Sequence, residues 1–182
     1  MAELIVFGIL SILLVIISWR TLFNIKSHGF YRFFSWECIL WLAVNNYRYW
    51  FDNPFCIKQI FSWISLFYSL FLVIIGIKLM KRAEKTQKNR VDNALYRFEK
   101  TTELIETGIY KYVRHPLYGS LLFLTWGIYF KNTTPVLLMV SVISTIFLYL
   151  TARVEEKENI TYFGEKYRDY MKRSKMFVPF LI

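Results

Sequence analysis

The sequence predicts an all-α integral membrane protein, folded as a single domain of 182 residues with about five transmembrane helices. Hydrophobic residues make up 55% of the chain and aromatic residues 20%, which is more than a soluble domain usually carries. These residues stand in long apolar runs instead of alternating with polar ones. The net charge of +10 lies mostly between the runs, as in the loops of a membrane protein, and nothing in its pattern indicates nucleic-acid recognition.

Three hydrophobic runs fill the first 80 residues. The first, residues 4–23, is almost uncharged and is long enough to cross a hydrocarbon core of about 30 Å. The second and third, residues 33–51 and 60–80, predict two further spans. The second run differs because it carries polar side chains, which should face protein or a polar cavity. These side chains are Glu37, Asn45, Asn46 and Arg48.

Two more runs, residues 117–130 and 133–150, are separated by a short polar turn and predict a helical hairpin. The first of them is short for a membrane crossing, since its length corresponds to about 21 Å of helix. Its start should therefore lie within the protein and not at the lipid surface.

The uneven distribution of Lys and Arg predicts the orientation in the membrane. With the N-terminus outside, nineteen of the 23 basic residues fall in inner segments, chiefly a connector of residues 81–116 and a C-terminal segment of residues 151–182. The outer loops hold only Lys58 and Lys131. The sequence thus predicts a cytoplasmic C-terminal segment, in a bacterial or archaeal cell membrane or in the endoplasmic reticulum of a eukaryote.

The chain has two cysteines, Cys38 and Cys56. They form no CxxC pair, and no histidine stands near them at metal-ligand spacing. The predicted topology also places them towards opposite faces of the membrane. We therefore expect neither a disulfide framework nor a metal site.

Polar and aromatic side chains crowd residues 106–120, at the start of the fourth run. Pro116 disfavours helix at His115 and suits the first helical position, so the fourth helix should begin here. The backbone N–H groups of its first turn would lie near Arg114 and His115, in a cationic corner where a carboxylate or phosphate could bind. The neighbouring tyrosines are equally typical of an aromatic belt at the membrane interface. They are Tyr110, Tyr112 and Tyr118.

A second charged and aromatic segment follows the fifth run, from Arg153 onward. If the fifth helix continues beyond the membrane, acidic side chains project from its end. These are Glu155, Glu156 and Glu158. Gly164 resembles a helix C-cap, and a helix over residues 165–173 should follow, with an apolar edge that lies on the membrane or covers a site. That edge consists of Phe163, Tyr167 and Tyr170. The charge pattern is also typical of a solvated helical face.

Together these two segments resemble a known family. The pattern GxYxxVRHPxY at residues 108–118 opens the hairpin, and RxEE at residues 153–156, FGxxY at residues 163–167 and the late Pro179 follow it. This pattern is similar to that of the isoprenylcysteine carboxyl methyltransferases and their phospholipid N-methyltransferase relatives, over about residues 106–180.

The resemblance implies a small multispan enzyme that binds S-adenosylmethionine in a cytoplasm-facing pocket covered by the C-terminal helical segment. A lipophilic or prenylated methyl acceptor would enter from the surrounding membrane lipids. The cofactor contacts that the resemblance implies are Tyr110, Tyr112, His115, Tyr118, Glu155 and Glu156. The catalytic residues that it implies are Arg114, Arg153 and Glu156. The two arginines could hold a carboxylate of the cofactor or of the acceptor.

Two positions depart from the family pattern. Gly119 follows Tyr118 directly, where a glycine commonly stands two residues after the tyrosine. Ile109 occupies a position where proline is common. Neither change removes a functional side chain, so both bear on fine geometry and acceptor choice more than on the cofactor.

Several alternatives remain open at the level of the sequence. Within the methyltransferases, the acceptor could be a prenylated carboxylate, a phospholipid amine or a small thiol. An NADPH-dependent sterol-type reductase shares a distantly similar C-terminal half, but such reductases usually carry a polar residue such as Asn before the His-Pro pair, where Arg114 stands here. A non-catalytic membrane protein is a further alternative, which the intact set of polar residues disfavours.

Overall fold

The computed structural model describes residues 1–84 and 103–179. Six α-helices make up most of these residues, and no β-strand occurs among them. The helices are α1 (Ala2–Leu22), α2 (His28–Asn46), α3 (Ile57–Glu84), α4 (Pro116–Tyr129), α5 (Pro135–Phe163) and α6 (Glu165–Arg173). The all-helical prediction is therefore confirmed for the described residues, whereas most of the predicted connector lies outside them.

Three of these helices are long and apolar enough to cross a membrane. They are Ala2–Leu22, Ile57–Arg82 and Pro135–Phe163. The other two predicted spans form helices α2 and α4, but α4 has only 14 residues. Five crossings and the orientation of the chain thus stay predictions.

Helix α2 begins at His28, earlier than the predicted start at residue 33. The reason is a polar N-cap, because the hydroxyl of Ser27 accepts a hydrogen bond from the backbone N–H of Gly29. A Cβ at Gly29 would lie 2.7 Å from Thr21 Cγ2, so the glycine permits close contact between α1 and α2. Halfway along both helices, Ser11 donates a hydrogen bond to the Glu37 carboxylate (2.9 Å), which gives this polar side chain of α2 a partner on α1.

Helices α3 and α4 pack through small residues and hydroxyl groups. The hydroxyl of Ser62 donates a hydrogen bond to the carbonyl of Gly127, and that of Ser69 donates one to the carbonyl of Ser120. Both distances are 2.7 Å. At Gly127 an added Cβ would lie 2.9 Å from side-chain atoms of Leu66. Small residues let helix backbones approach closely, so α4 is held firmly although it is short.

Helix α5 continues well past the predicted end of its run at residue 150, without a break to Phe163. Within the bundle it meets α2 and α4 through a buried hydroxyl cluster, in which Ser144 Oγ lies 3.1 Å from Ser35 Oγ and 3.2 Å from Thr125 Oγ1. The extension past the bundle carries the glutamates predicted to project from the helix end. The sequence left this continuation open, and the structure confirms it.

The turn between α4 and α5 carries a buried cation. The ammonium of Lys131 lies 3.6 Å from the ring centroid of Trp63 and donates hydrogen bonds to Gln59 Oε1 (2.9 Å) and to the carbonyl of Trp50 (3.2 Å). Burial lowers the pKa of Lys131. These contacts join the predicted hairpin turn to the first turns of α3 and to the loop before it.

Candidate active site

The start of α4 lies where the sequence predicts it, with Pro116 as first residue and His115 before it. The backbone N–H of Arg114 donates to the carbonyl of Lys175 (2.8 Å), and that of His115 donates to the carbonyl of Met176 (3.1 Å). The N–H of Lys175 in turn donates to the carbonyl of Tyr112 (2.9 Å). The C-terminal segment thus runs along the entry to α4 like a short strand, and these backbone N–H groups are occupied within the protein.

A cavity opens in front of this junction. It is bounded by the end of α3, residues 103–105, the entry to α4, the extension of α5, and α6. Its polar lining consists of Glu103, Tyr110, Arg114, His115, Tyr118, Glu155, Asn159, Tyr167 and Tyr170. Its apolar lining consists of Met80, Leu104, Ile105, Pro116, Leu117 and Phe163. Charged, aromatic and apolar side chains thus line one cavity.

Five of the residues predicted from the sequence line this cavity: Tyr110, Arg114, His115, Tyr118 and Glu155. The other three lie apart from its wall. Tyr112 is 45% exposed on the surface. The Arg153 side chain is half exposed, whereas Glu156 is 2% exposed and lies within the protein.

Glu156 is the centre of a buried charge cluster. Its carboxylate accepts a hydrogen bond from Arg114 Nε (2.7 Å) and lies 3.5 Å from Arg153 Nη1 and 3.6 Å from His115 Nε2. The buried carboxylate is therefore balanced by a hydrogen-bonded guanidinium, as burial of a charge requires. No group of His, Cys, Asp and Glu side chains in the described part of the chain could hold a metal ion.

His115 lies between the two glutamates. Its Nδ1 is 4.0 Å from a carboxylate oxygen of Glu155, and its ring stacks on Tyr118 with the ring centroids 5.5 Å apart. Tyr118 also donates a hydrogen bond to Glu155. The cavity wall thus presents an imidazole, a phenol and a carboxylate in mutual contact.

Helix α6 closes one side of the cavity. Gly164, with φ of 61°, turns the chain between α5 and α6 in a conformation that favours glycine. Tyr167 and Tyr170 then point inward at 2% exposure each, and Tyr170 donates a hydrogen bond to the carbonyl of Tyr110 (2.6 Å). Burial raises the pKa of both phenols. The edge predicted for this helix therefore lies against the cavity.

Arg114 connects this cover to the charge cluster. While its Nε bonds to Glu156, its Nη1 donates to the carbonyls of Met171 (3.3 Å) and Ser174. Much of its donor capacity is used inside the protein, which fits a structural attachment of the C-terminal segment.

Sequence reasoning missed the contribution of α2. His28, at 0% exposure, binds Glu158, and Arg32, at 6% exposure, lies one turn further along α2. Their spacing of four residues places both on one helix face, and this was the available signal. It was overlooked because the second span was predicted to begin after them. Asn159 was missed as well, although it stands four residues after Glu155 on the cavity side of α5.

Comparison with known proteins identifies the family. The model of the phospholipid methyltransferase family matches residues 64–166. Methanethiol S-methyltransferase of Pseudomonas deceptionensis is 38% identical over 73 residues, covering 40% of this chain and 27% of that protein. The human protein-S-isoprenylcysteine O-methyltransferase is 30% identical over 128 residues, covering 69% of this chain and 44% of that protein.

A third relative, methanethiol S-methyltransferase 1 of Bradyrhizobium diazoefficiens, is 28% identical over 123 residues, covering 65% of this chain and 39% of that protein. The chain thus spans less than half the length of these curated relatives. No solved structure gives a significant match. The apolar helices and these relatives identify an integral membrane protein, and the chain belongs to the phospholipid methyltransferase family, among its isoprenylcysteine methyltransferase-like members.

Proposed function

We propose that this protein is an S-adenosylmethionine-dependent methyltransferase of the membrane that acts on a lipophilic acceptor, in the manner of an isoprenylcysteine carboxyl O-methyltransferase. The observation that carries the proposal is the cavity between α4, α5 and α6, where His115, Tyr118 and Glu155 meet beneath two buried tyrosines. The family match supports methyl transfer as the chemistry.

The lining fits the chemical groups of the proposed cofactor. S-adenosylmethionine carries a carboxylate, an ammonium, ribose hydroxyls, an adenine ring and a sulfonium, and when bound it supplies an electrophilic methyl group. Glu155 is an acceptor for the ammonium or for a hydroxyl, and the aromatic faces of Tyr110 and Tyr118 suit a positive charge or a flat ring. His115 is placed beside Glu155, with its Nδ1 4.0 Å from that carboxylate, so the imidazole and the carboxylate can bind a polar group of the cofactor together.

The roles of the charged residues follow from their contacts. We assign Arg114 and Glu156 to positioning, because their ion pair holds the C-terminal segment against the entry to α4. Arg153 keeps a half-exposed side chain beside this pair but outside the cavity wall, so its binding of a carboxylate stays a prediction from the family resemblance. Tyr112, exposed on the surface, is assigned to the membrane interface instead of the cofactor.

Methyl transfer to a carboxylate or thiolate requires alignment and exclusion of water more than a base. The cover by α6 supports both, since it places two buried tyrosines over the cavity. An amine or a protonated thiol acceptor would in addition have to lose a proton, for which Glu155 is a carboxylate in the cavity.

The acceptor is proposed from the apolar residues that line the cavity. These residues, Met80, Leu104, Ile105, Leu117 and Phe163, suit a lipophilic group. A small thiol is the second candidate, because methanethiol S-methyltransferases are among the relatives most similar to this chain. We further propose that the cavity faces the cytoplasm and the N-terminus the outside, following the distribution of basic residues.

Calorimetric titration with S-adenosylhomocysteine tests the cofactor. The detergent-purified protein should bind it at micromolar concentration, His115→Ala and Glu155→Gln should lose most of that affinity, and Glu165→Gln, an exposed change on α6, should bind as the unmodified protein does. Absence of binding by the folded protein, or binding of NADPH in its place, would overturn the proposal. Prenylcysteines, small thiols and phospholipid amines can then be compared as acceptors.

A further inference from the structure

The start of α2 is bound tightly to the extension of α5. Both oxygens of the Glu158 carboxylate are used, because one accepts from His28 Nδ1 (2.6 Å) and the other from the backbone N–H of His28 (3.2 Å). His28 is completely buried. The carboxylate therefore holds the imidazole and at the same time occupies the N-terminus of α2, where negative charge is favoured. We call this pair of hydrogen bonds the His28–Glu158 clasp.

The clasp lies on the same turn of α5 as the cavity wall. Glu155 and Asn159 both line the cavity, and Glu158 stands between them in the sequence, within one helical turn of each. Asn159 also hydrogen-bonds Tyr167 of the cover. A rotation or outward shift of this turn would move the carboxylate of Glu155 and the amide of Asn159 together.

Helix α2 also acts on Glu155 through charge. His28 and Arg32 both interact electrostatically with the Glu155 carboxylate, which is in contact with His115 on its other side. Arg32 is itself buried at 6% exposure. Two buried basic side chains of α2 thus interact with two carboxylates of α5, one in the clasp and one in the cavity wall.

We infer that His28 is a positioning residue for the ligand site: through Glu158 it fixes the turn of α5 that presents Glu155 and Asn159 to the cavity. His28 lies before residue 64, where the family match begins, so this contribution belongs to the N-terminal helices. The choice of ligand in the test rests on the proposed function, whereas the clasp itself does not.

The affinity for S-adenosylhomocysteine tests this role when it is measured for the unmodified protein and for three variants. Replacing His28 by Ala should weaken binding by at least about fivefold, the lower range of coupling between distant sites. His28→Asn should restore most of the affinity, since its Nδ2 can donate to Glu158 from nearly the position of Nδ1. Ser35→Ala is the matched control, because it removes another contact between α2 and α5, the one to Ser144. Its affinity should equal that of the unmodified protein.

Equal binding by His28→Ala and the unmodified protein would overturn the inference. If Ser35→Ala lost as much affinity as His28→Ala, that would also overturn it, since the effect would then be a general loosening of the interface between α2 and α5.

A second readout needs no ligand and separates this inference from the proposed function. In a protein whose only cysteine is introduced by Asn159→Cys, with Cys38→Ser and Cys56→Ser, a water-soluble maleimide reports access to the cavity wall. His28→Ala should speed the labelling several-fold, and His28→Asn and Ser35→Ala should not.

If the unmodified protein binds no S-adenosylhomocysteine, the proposed function fails. The labelling rates still decide the role of His28, and equal rates in all forms would overturn it.

Discussion

Glu156 is connected to the candidate site although it does not line the cavity. Its side chain is 2% exposed and bonded to Arg114, which reaches on to the carbonyls of Met171 and Ser174. A buried ion pair of this kind gives little net stability compared with an apolar pair, but removal of one partner leaves an uncompensated charge. The Arg114–Glu156 pair therefore makes the C-terminal segment and the charge cluster depend on each other.

Substitution of Glu156 by Gln should accordingly destabilise the protein by about 3 kcal/mol, because Arg114 keeps its buried charge and loses the carboxylate. Thermal unfolding in detergent measures this loss. Asp169→Asn, which removes the partner of Lys172 in an exposed ion pair on α6, is the matched control and should leave the melting temperature unchanged. A melting temperature of Glu156→Gln equal to that of the control would show that Glu156 is neutral or otherwise compensated.

Several residues of the site could be predicted from the sequence and others could not, for a physical reason. Pro116 marks the start of α4 by its own backbone restriction, so His115 and Tyr118 could be placed from local sequence alone. The contact between His28 and Glu158 joins residues 130 positions apart, and no local pattern encodes such a distance. Glu155 lines the cavity and Glu156 does not. This difference depends on the rotation of α5 about its axis, which the local sequence does not encode.

At the scale of the elements, the pairing of α3 with α4 depends on close backbone approach. Gly127→Ala should destabilise the protein by about 1–3 kcal/mol, since the added Cβ would meet Leu66 side-chain atoms at 2.9 Å and its backbone nitrogen at 3.3 Å. Gly8→Ala in α1, where no atom lies within 4 Å of the added Cβ, is the control. Thermal unfolding of the two variants provides the measurement, and equal melting temperatures would mean that Leu66 moves aside without cost.

The cover formed by α6 should be sensitive to alkaline pH. Burial raises the pKa of Tyr167 and Tyr170 above the ordinary value, so both phenols hold their protons more tightly in the folded protein than in the unfolded chain. Their contribution to stability is thus fully present below about pH 10 and is lost as the pH rises above it. Trypsin cleavage within α6 should accelerate at that pH.

The matched variant for this prediction replaces both tyrosines by Phe. It should lose the alkaline acceleration that remains after correction for the pH dependence of trypsin itself. An unchanged pH dependence would assign the effect to groups other than these phenols.

The ends of helices could be predicted where a proline or glycine restricts the backbone. Proline begins α4 and α5, and Gly164 separates α5 from α6. The start of α2 and the continuation of α5 were less apparent, because hydropathy reports where a helix is apolar and not where it ends. A helix that leaves the membrane keeps its backbone hydrogen bonds while its side chains become polar.

For the whole molecule, the distribution of basic residues predicts that the loop before α3 and helix α6 lie on opposite sides of the membrane. Cys56, exposed in that loop, is a natural reporter for the outer side. In intact cells a membrane-impermeant maleimide should label the Cys38→Ser protein at Cys56. It should label a Lys166→Cys variant lacking both native cysteines only after permeabilisation. Labelling of both proteins from the same side would contradict the predicted orientation.

The backbone pairing of Arg114 and His115 with Lys175 and Met176 has a consequence for biosynthesis. Chains leave the ribosome N-terminus first, and domains begin to fold in that order. Helices α1 to α5 are therefore synthesised before the residues that complete the entry to α4 exist. The cavity therefore cannot be completed before residues 175 and 176 have been synthesised, and a ribosome stalled before residue 175 would hold a helical bundle that has no finished site.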